Sequence, residues 1–381
     1  MKSPEKGGNQ MAKDKGANRR RKGLVVMLVG LFIVTMVGFE ASTAAAADPK
    51  PIELKWANFQ TKEADSIPPL MEWLKAIETK SKGALKVKMY FVGEIADTKD
   101  LVSLCRTGSI DVISTPPVYY TGTFPLNSVL QTYYPLNKTV DQAVYSWRGL
   151  FRDVPGFQEE FAKQNMYVLN RACLGVYHLV SKKPVRNLAD LKGLKLRIIG
   201  GDYPAEMVKA AGAVPVFQAV QDMYEGFMRG VTDGILLGVP AIDAYRLTEV
   251  GKYVGFPIGS VLGWSNSINL DVWKKLTPEL RGILQQTATE WGARDLQNML
   301  DNENKISKKL REQGVQFPEF DKKDYQAIIE KAGDPYEHCK GYLIKNNVDA
   351  TVVGNFIKRW RELNQEYEKN YLVPGKKWQY K

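Results

Sequence analysis

The residue types that usually carry catalysis or bind metals are scarce and scattered in this chain. Its 381 residues include two histidines, His178 and His338, and three cysteines, Cys105, Cys173 and Cys339. The sequence has no C-x-x-C pair, no Cys/His spacing of a zinc site, and no context typical of a Ser-His-Asp or Cys-His set. We therefore expect no metal centre, no cofactor and no catalytic triad, and we interpret the cysteines as three separate buried thiols.

One glycine turn superficially resembles a phosphate-binding loop. Ile198–Asp202 has the form of a strand, two glycines and the start of a helix. Phosphate loops need GxGxxG or GxxxxGK, which place backbone N–H groups around the anion, and this segment has neither pattern. No pattern points to a pair of catalytic carboxylates either. The sequence therefore favours a binding protein over an enzyme.

Arg197 is the residue whose position best suits ligand binding. It lies on a short predicted strand in which Leu194, Leu196 and Ile198 face one side and Lys195 and Arg197 face the other. A guanidinium held at a strand end presents a planar fork that matches a carboxylate. The alternative from spacing alone is a surface arginine in a salt bridge.

The elements around Arg197 predict two α/β units. From Glu53 to Ser114 the pattern reads β-α-β-α-β, and a comparable pattern restarts over Tyr177–Leu237. After them, Thr277-Pro278-Glu279 is a strong helix start, with Thr as N-cap and Pro in the first turn. Helical spacing continues from there to about residue 313. We expect this long helix to run along both units.

Four short motifs, in order, resemble the DctP-type receptors of tripartite ATP-independent periplasmic (TRAP) transporters. Asp190–Arg197 is similar to the family's D-L-K-G-x-K-x-R signature, and Gly212–Pro215 to its G-A-x-P turn. The stretch Asp222–Gly234 resembles E-V-Y…G-V-x-D-G, and Gly108–Asp111 fits G-x-x-D. The resemblance covers nearly the whole chain after Asp48.

This resemblance implies a two-lobed α/β fold of the periplasmic-binding-protein type, with mixed, mainly parallel sheets, a hinge and a lobe-spanning helix. We expect lobe I to comprise residues 48–174 and 263–302, and lobe II residues 175–262 and 303–381. The resemblance also implies that the lobes close on a ligand and that small and large membrane subunits are the partners. It further implies that Arg197 binds the carboxylate of a small organic anion.

Other pocket positions follow from the same resemblance and depart from the acid-binding members. A second family arginine would fall at Tyr177, an asparagine at Leu237 and a carboxylate at Pro116. The further mapped or plausible lining residues are Asn58, Phe59, Tyr119, Tyr120, Val220, Trp264 and Asn266. An apolar lining with one arginine favours a monocarboxylate with an apolar or aromatic body over a sugar acid, whose hydroxyls would stay unpaired. The alternative is that these are core residues and the mapping slips by one position.

The N-terminus has the composition of a Sec-type signal peptide. Arg19–Lys22 precede an apolar run, Leu24–Phe39, and the small residues Ala41–Ala47 follow. We expect cleavage after residue 47 and a periplasmic mature protein; an uncleaved anchor is the alternative, and Met11 is a second candidate start. Of the net charge of +11, this segment carries eight Lys/Arg against three Asp/Glu, so the mature chain is only mildly basic.

The sequence therefore predicts an exported, monomeric solute-binding protein that delivers an organic acid to a TRAP transporter. The absence of a dense basic stripe with interleaved aromatic residues argues against nucleic acid as a partner. A receptor for an ABC importer or a sensor kinase, and less so an enzyme on the same fold, remain the alternatives. An adhesive protein would not need an inward-facing arginine between two lobes.

Overall fold

The computed structural model describes residues 50–64, 66–373 and 378. The predicted signal peptide, 1–47, lies outside these residues. The strands are β1 Ile52–Asn58, β2 Leu85–Tyr90, β3 Val112–Thr115, β4 Met166–Ser181, β5 Lys195–Ile198, β6 Val214–Phe217, β7 Gly234–Gly238 and β8 Tyr253–Asn269.

The α-helices are α1 Ile67–Lys80, α2 Leu101–Thr107, α3 Pro125–Val129, α4 Val140–Asp153, α5 Gly156–Lys163, α6 Leu188–Leu191, α7 Asp202–Ala210, α8 Met223–Met228, α9 Val239–Ala244, α10 Leu270–Lys275, α11 Pro278–Glu312, α12 Lys322–Ala332, α13 Pro335–Lys345 and α14 Ala350–Asn370.

The eight strands form one mixed sheet with the order β2-β1-β3-β8-β4-β7-β5-β6. The outer triplets, β2-β1-β3 and β7-β5-β6, are internally joined by parallel pairs. Between them β4 and β8, of 16 and 17 residues, run antiparallel and connect the two ends of the sheet. Their pairing shifts register at several points between Val168 and Leu179, so the two strands are irregular where they pass from one end to the other. This mixed two-lobed α/β architecture confirms the predicted fold class.

Two hydrophobic clusters mark the two lobes. The lobe I core surrounds Trp56, Trp73 and Ile113. The lobe II core surrounds Leu196 and Ile235. Strand β4 contributes to both, because Val168 and Ala172 belong to the first cluster and Tyr177 and Leu179 to the second.

The two hydrophobic clusters do not follow the predicted lobe bounds at every residue. Apolar residues from Leu126 to Phe157, placed in lobe I by the sequence division, belong to the lobe II core. The reason is that α4 packs against α14. The Ser146 hydroxyl donates a hydrogen bond to Asn364 Oδ1 at 2.7 Å. Gly149 leaves room for the side chain of Leu363, which would clash with a Cβ atom at position 149.

Helix α11 has the predicted start and reaches both cores. Thr277 is the N-cap, since its hydroxyl accepts a hydrogen bond from the N–H of Leu280, and Pro278 opens the helix. Leu284 and Trp291 pack into the lobe I core, whereas Leu296 and Leu310 pack into the lobe II core. The 35-residue helix therefore spans the two lobes and passes the space between them.

Candidate functional site

A cavity lies where the two cores face each other, with about 890 Å³ of empty space that includes its open side. Lobe I contributes Phe59 and Trp264 to its walls, and lobe II contributes Tyr177 and Leu237. The remaining lining residues are Gln60, Ser66, Pro69, Pro116, Tyr119, Gln131, Cys173, Leu174, Gly175, Arg197, Ile199, Val220, Gly238, Pro240, Ala241, Tyr245, Asp295, Asn298, Met299 and Asn302. The cavity is therefore built from both lobes and from α11.

Arg197 lines this cavity although its side chain is 0% exposed. It lies on β5 between β6 and β7, opposite Val216 and Ile235. Its Nε donates to the backbone carbonyl of Gln218 at 2.9 Å. Neither terminal nitrogen, Nη1 or Nη2, has a hydrogen-bond partner among the described residues. A buried guanidinium whose two terminal nitrogens have no acceptor is costly, so this fork fits an anion supplied from outside the chain.

Three buried tyrosines sense the charge of Arg197. Its positive charge opposes the rise in pKa that burial causes for Tyr119, Tyr134 and Tyr177, so all three hydroxyls lie within electrostatic reach of it. The rings of Tyr134 and Tyr177 are 5.3 Å apart. Burial has the larger effect, and the pKa of each hydroxyl is raised. The tyrosines therefore remain neutral hydrogen-bonding groups and do not compensate the charge of Arg197.

An aromatic wall forms the lobe I side of the cavity. The ring of Phe59 lies 5.5 Å from that of Trp264 and 6.4 Å from that of Tyr119. The N–H of Phe59 donates to the carbonyl of Ser114 at 3.2 Å, which places the residue just beyond the end of β1. Such a wall suits a flat or apolar ligand body.

Helix α11 adds a polar face that the sequence interpretation did not include. Asp295, Asn298, Met299 and Asn302 all line the cavity, and their i, i+3, i+4, i+7 spacing places them on one side of the helix. Asp295 Oδ2 accepts the N–H of Cys173 at 2.6 Å, which ties the helix to β4. It is the one acidic side chain among the described lining residues. The periodicity was visible in the sequence, but which face meets the cavity depends on packing against β4.

Eight of the mapped positions meet at this cavity: Phe59, Pro116, Tyr119, Tyr177, Arg197, Val220, Leu237 and Trp264. Asn58 does not line it, because its side chain is buried at the end of β1, where Oδ1 accepts the N–H of Gln60 at 2.9 Å. Tyr120 and Asn266 are also outside the lining. Tyr120 donates to the carbonyl of Thr98, and Asn266 Oδ1 accepts from the Ser114 hydroxyl.

The histidines and cysteines, the other candidate reactive groups, are held in the fold by packing or by hydrogen bonds. His178 Nδ1 lies 2.9 Å from the carbonyl of Val176, and burial lowers the pKa of this imidazole. His338 Nδ1 lies 3.0 Å from the hydroxyl of Tyr133. The three cysteines are free and buried, as predicted. Within the part of the chain that the structure describes, no group of three or more His, Cys, Asp and Glu residues could hold a metal ion, and no helix is long and apolar enough to cross a membrane.

Comparison with known proteins agrees with the fold and the motifs. The profile of the DctP family, described as bacterial extracellular solute-binding protein family 7, matches residues 67–340. The 2,3-diketo-L-gulonate-binding periplasmic protein YiaO of Escherichia coli (strain K12) is 22% identical over 307 residues, which cover 78% of this chain and 89% of that protein.

Two solved structures share the fold at low sequence identity. A Bordetella pertussis extracytoplasmic solute receptor that binds pyroglutamic acid superposes with a TM-score of 0.72 at 15% identity, covering 81% of this chain and 99% of that one. A TRAP periplasmic solute-binding protein from Sulfitobacter sp. NAS-14.1 with bound β-D-galacturonate has a TM-score of 0.69 at 19% identity, covering 82% and 100%. With its motifs, its fold and a family profile over most of its length, the chain belongs to the DctP-type solute-binding proteins of TRAP transporters.

Proposed function

We propose that this protein captures a small monocarboxylic acid in the cavity between its lobes and delivers it to the membrane subunits of a TRAP transporter. The observation that carries the proposal is the fork of Arg197, which is buried, anchored through Nε and left with two free terminal nitrogens among the described residues. A carboxylate accepts two parallel hydrogen bonds from such a fork.

The ligand body is aromatic or branched. Phe59 and Trp264 face it from lobe I, and Val220 and Leu237 are further apolar lining residues. Removing this apolar surface from water stabilises a complex by roughly 25 cal/mol per Å² before the costs of association are subtracted. A polyhydroxylated body would leave hydroxyl groups against these side chains without partners.

The polar face of α11 supports a second candidate, a sugar acid. Asn298 and Asn302 offer amide groups to ligand hydroxyls, and Gln60 and Ser66 add two polar side chains at the lobe I wall. The diketogulonate-binding and galacturonate-binding proteins named above take ligands of this kind. The acid with an aromatic or branched body is favoured over the sugar acid because the aromatic wall occupies the side of the cavity contributed by lobe I.

A thermal-shift screen of the mature protein against organic acids tests the two candidates directly. A ligand present at 100 times its Kd stabilises the folded state by about 2.7 kcal/mol, which is a readily measured shift. We expect hits among aromatic and branched monocarboxylates, and calorimetry then ranks them against sialic, aldonic and uronic acids. Binding restricted to polyhydroxylated acids would reject the aromatic-acid assignment, and turnover of any hit would reject the role as a pure receptor.

The proposal includes export and a role without catalysis. The N-terminal segment predicts secretion, and we place the working protein in the periplasm as a monomer. A receptor for an ABC importer or a sensor kinase would share the cavity. Neighbouring genes for TRAP membrane subunits, and uptake that stops when those subunits are deleted, distinguish our proposal from these two.

A further inference from the structure

Trp264, one of the residues that line the cavity, has an unused hydrogen-bond donor. Its side chain is 4% exposed and lines the cavity, yet its indole Nε1 has no partner among the described residues. An indole N–H donates and does not accept, so only an acceptor can satisfy it. A buried donor without an acceptor is unfavourable, which makes the position informative about what fills the cavity.

Other buried indoles without a hydrogen-bond partner lie away from the cavity. The Nε1 atoms of Trp73, Trp147, Trp291 and Trp360 are also buried without partners in the described structure. None of these four residues lines the cavity. Trp264 is therefore the one indole in this set whose missing acceptor a cavity ligand could supply.

Trp264 and Arg197 approach the cavity from different lobes. Trp264 belongs to the lobe I core and packs 5.5 Å from the ring of Phe59. Arg197 lies on β5, whose Leu196 and Ile198 belong to the lobe II core. A ligand between them meets a cationic two-pronged donor at one end and a single neutral donor from the facing lobe.

We propose that the ligand is a planar carboxylic acid whose body carries a hydrogen-bond acceptor, a ring nitrogen or a carbonyl oxygen, that accepts from Trp264 Nε1. This inference rests on the proposed function and narrows its ligand class. A pure hydrocarbon body would pack against the aromatic wall but would leave the indole N–H of Trp264 without a hydrogen-bond acceptor. The acceptor therefore determines specificity and also links the two lobes through the ligand.

Pairs of acids that differ only in the acceptor test the inference. Nicotinate and isonicotinate each pair with benzoate, and 4-acetylbenzoate pairs with 4-isopropylbenzoate. Calorimetry with the full mature chain should show at least one acceptor-bearing acid binding about tenfold or more tightly than its partner, a ratio that corresponds to about 1.4 kcal/mol. Trp264→Phe keeps an aromatic ring but removes the N–H, so the ratio should fall to within about threefold.

Trp147→Phe is the matched control, because Trp147 is similarly buried and also has an unpartnered Nε1 but lies outside the cavity. It should keep the wild-type ratio. In nitrogen-edited NMR spectra of the wild-type protein, the acceptor acid should also move one indole N–H signal that is missing from Trp264→Phe.

The outcomes separate this inference from the proposed function. Equal binding of both members of every pair by the wild-type protein overturns it, and so does a preference that survives Trp264→Phe. Failure of every acid in the panel to bind overturns the ligand class as well. If binding is lost in Arg197→Ala while Trp264→Phe changes nothing, the carboxylate site stands and only the role of Trp264 is rejected. The wild-type ratio is measured on an unchanged protein, so the test stands even if a variant fails to fold.

Discussion

The carbonyl of Gln218 accepts a hydrogen bond from Arg197 Nε at 2.9 Å and thereby holds the guanidinium in place through this nitrogen. Gln218 follows directly after β6, the strand paired with β5, so neighbouring strands orient the guanidinium before any ligand arrives. The two terminal nitrogens remain without partners in the described chain. Preorganisation of this kind reduces the ordering cost of binding.

Replacement of Arg197 by alanine should abolish measurable binding of the organic acid without unfolding the protein. Truncating one member of a buried charge pair costs about 2–5 kcal/mol, which is on the order of 30- to 4000-fold in Kd. The ligand-free protein should keep its stability, because the variant removes a buried guanidinium whose two terminal nitrogens have no acceptor among the described residues. Calorimetry measures Kd, and circular dichroism checks the fold.

Two further variants sharpen this test. Arg197→Lys should restore part of the affinity, since an ammonium keeps the charge but loses the two-pronged geometry. Arg246→Ala removes an exposed arginine paired with Glu249 and should leave Kd unchanged. A folded Arg197→Ala protein that binds the same acid within about threefold of wild type, roughly 0.7 kcal/mol, places the anion elsewhere.

Ligand binding should make the protein more compact. The cavity takes walls from both lobes, and β4 and β8, which connect them, have shifts of register where they pass between the cores. A ligand that contacts both lobes favours the closed arrangement by its differential affinity for it. Small-angle scattering should give a smaller radius of gyration with a confirmed ligand. Arg197→Ala mixed with the same acid is the control, and an unchanged radius for wild type argues against closure.

The sequence located Arg197 well because its signal was local. A four-residue strand with leucine and isoleucine on one face puts Arg197 on the other, and the neighbouring motif supplied its expected role. The residues mapped at Tyr177, Val220 and Leu237 also line the cavity. These three positions were expected from the family resemblance rather than from periodicity: Leu237 lies on the short strand β7, whereas Tyr177 lies on the 16-residue strand β4, where alternation alone would not have singled it out.

The contributions of distant segments were harder to predict. Asn298 and Asn302 lie on a long helix that is polar over much of its surface, so its pattern does not identify the face that meets β4. The strand β8 extends for 17 residues, through Gly259 and Gly263, where alternation is weak. The stretch Leu126–Phe157 joins the lobe II core because of α14, which lies some 200 residues later in the chain. Such pairings depend on tertiary packing and leave little local signal.

The mature protein should begin near Asp48. Arg19–Lys22, the apolar run Leu24–Phe39 and the alanine-rich segment that follows motivate this expectation. The first strand begins at Ile52, so cleavage after residue 47 would leave the folded domain intact. Mass spectrometry of protein taken from the periplasm decides the point. An intact N-terminus recovered from the membrane fraction would instead identify the segment as an anchor.

A buried carboxylate between α3 and β4 provides a pH-dependent contribution to stability. Glu160 accepts hydrogen bonds from the N–H groups of Leu126 and Asn127, at 2.7 and 3.1 Å, and from Asn127 Nδ2 at 2.9 Å. Arg171 Nη1 contacts the opposite side of Asn127, at 3.2 Å from its carbonyl and 3.3 Å from Oδ1. Burial raises the pKa of Glu160 to about 7, against the lowering effect of these hydrogen bonds.

Because the folded-state pKa of Glu160 lies above the ordinary value of 4.5, the folded protein holds this proton more tightly than the unfolded chain does. The contribution of Glu160 to stability is therefore greatest below about pH 4.5, falls as the pH rises through 7 and is lost above it. A shift of this size corresponds to about 3 kcal/mol.

Glu160→Gln cannot titrate, so its free energy of unfolding should change less between pH 5 and 8 than that of wild type. It should also be less stable at pH 5, because its amide N–H₂ cannot accept from Leu126 or Asn127. Urea unfolding at several pH values measures both effects, and Glu159→Gln, an exposed neighbour on α5, should follow the wild-type curve. Parallel curves for wild type and Glu160→Gln would mean that Glu160 stays ionised over this range, with the charge of Arg171 outweighing the effect of burial.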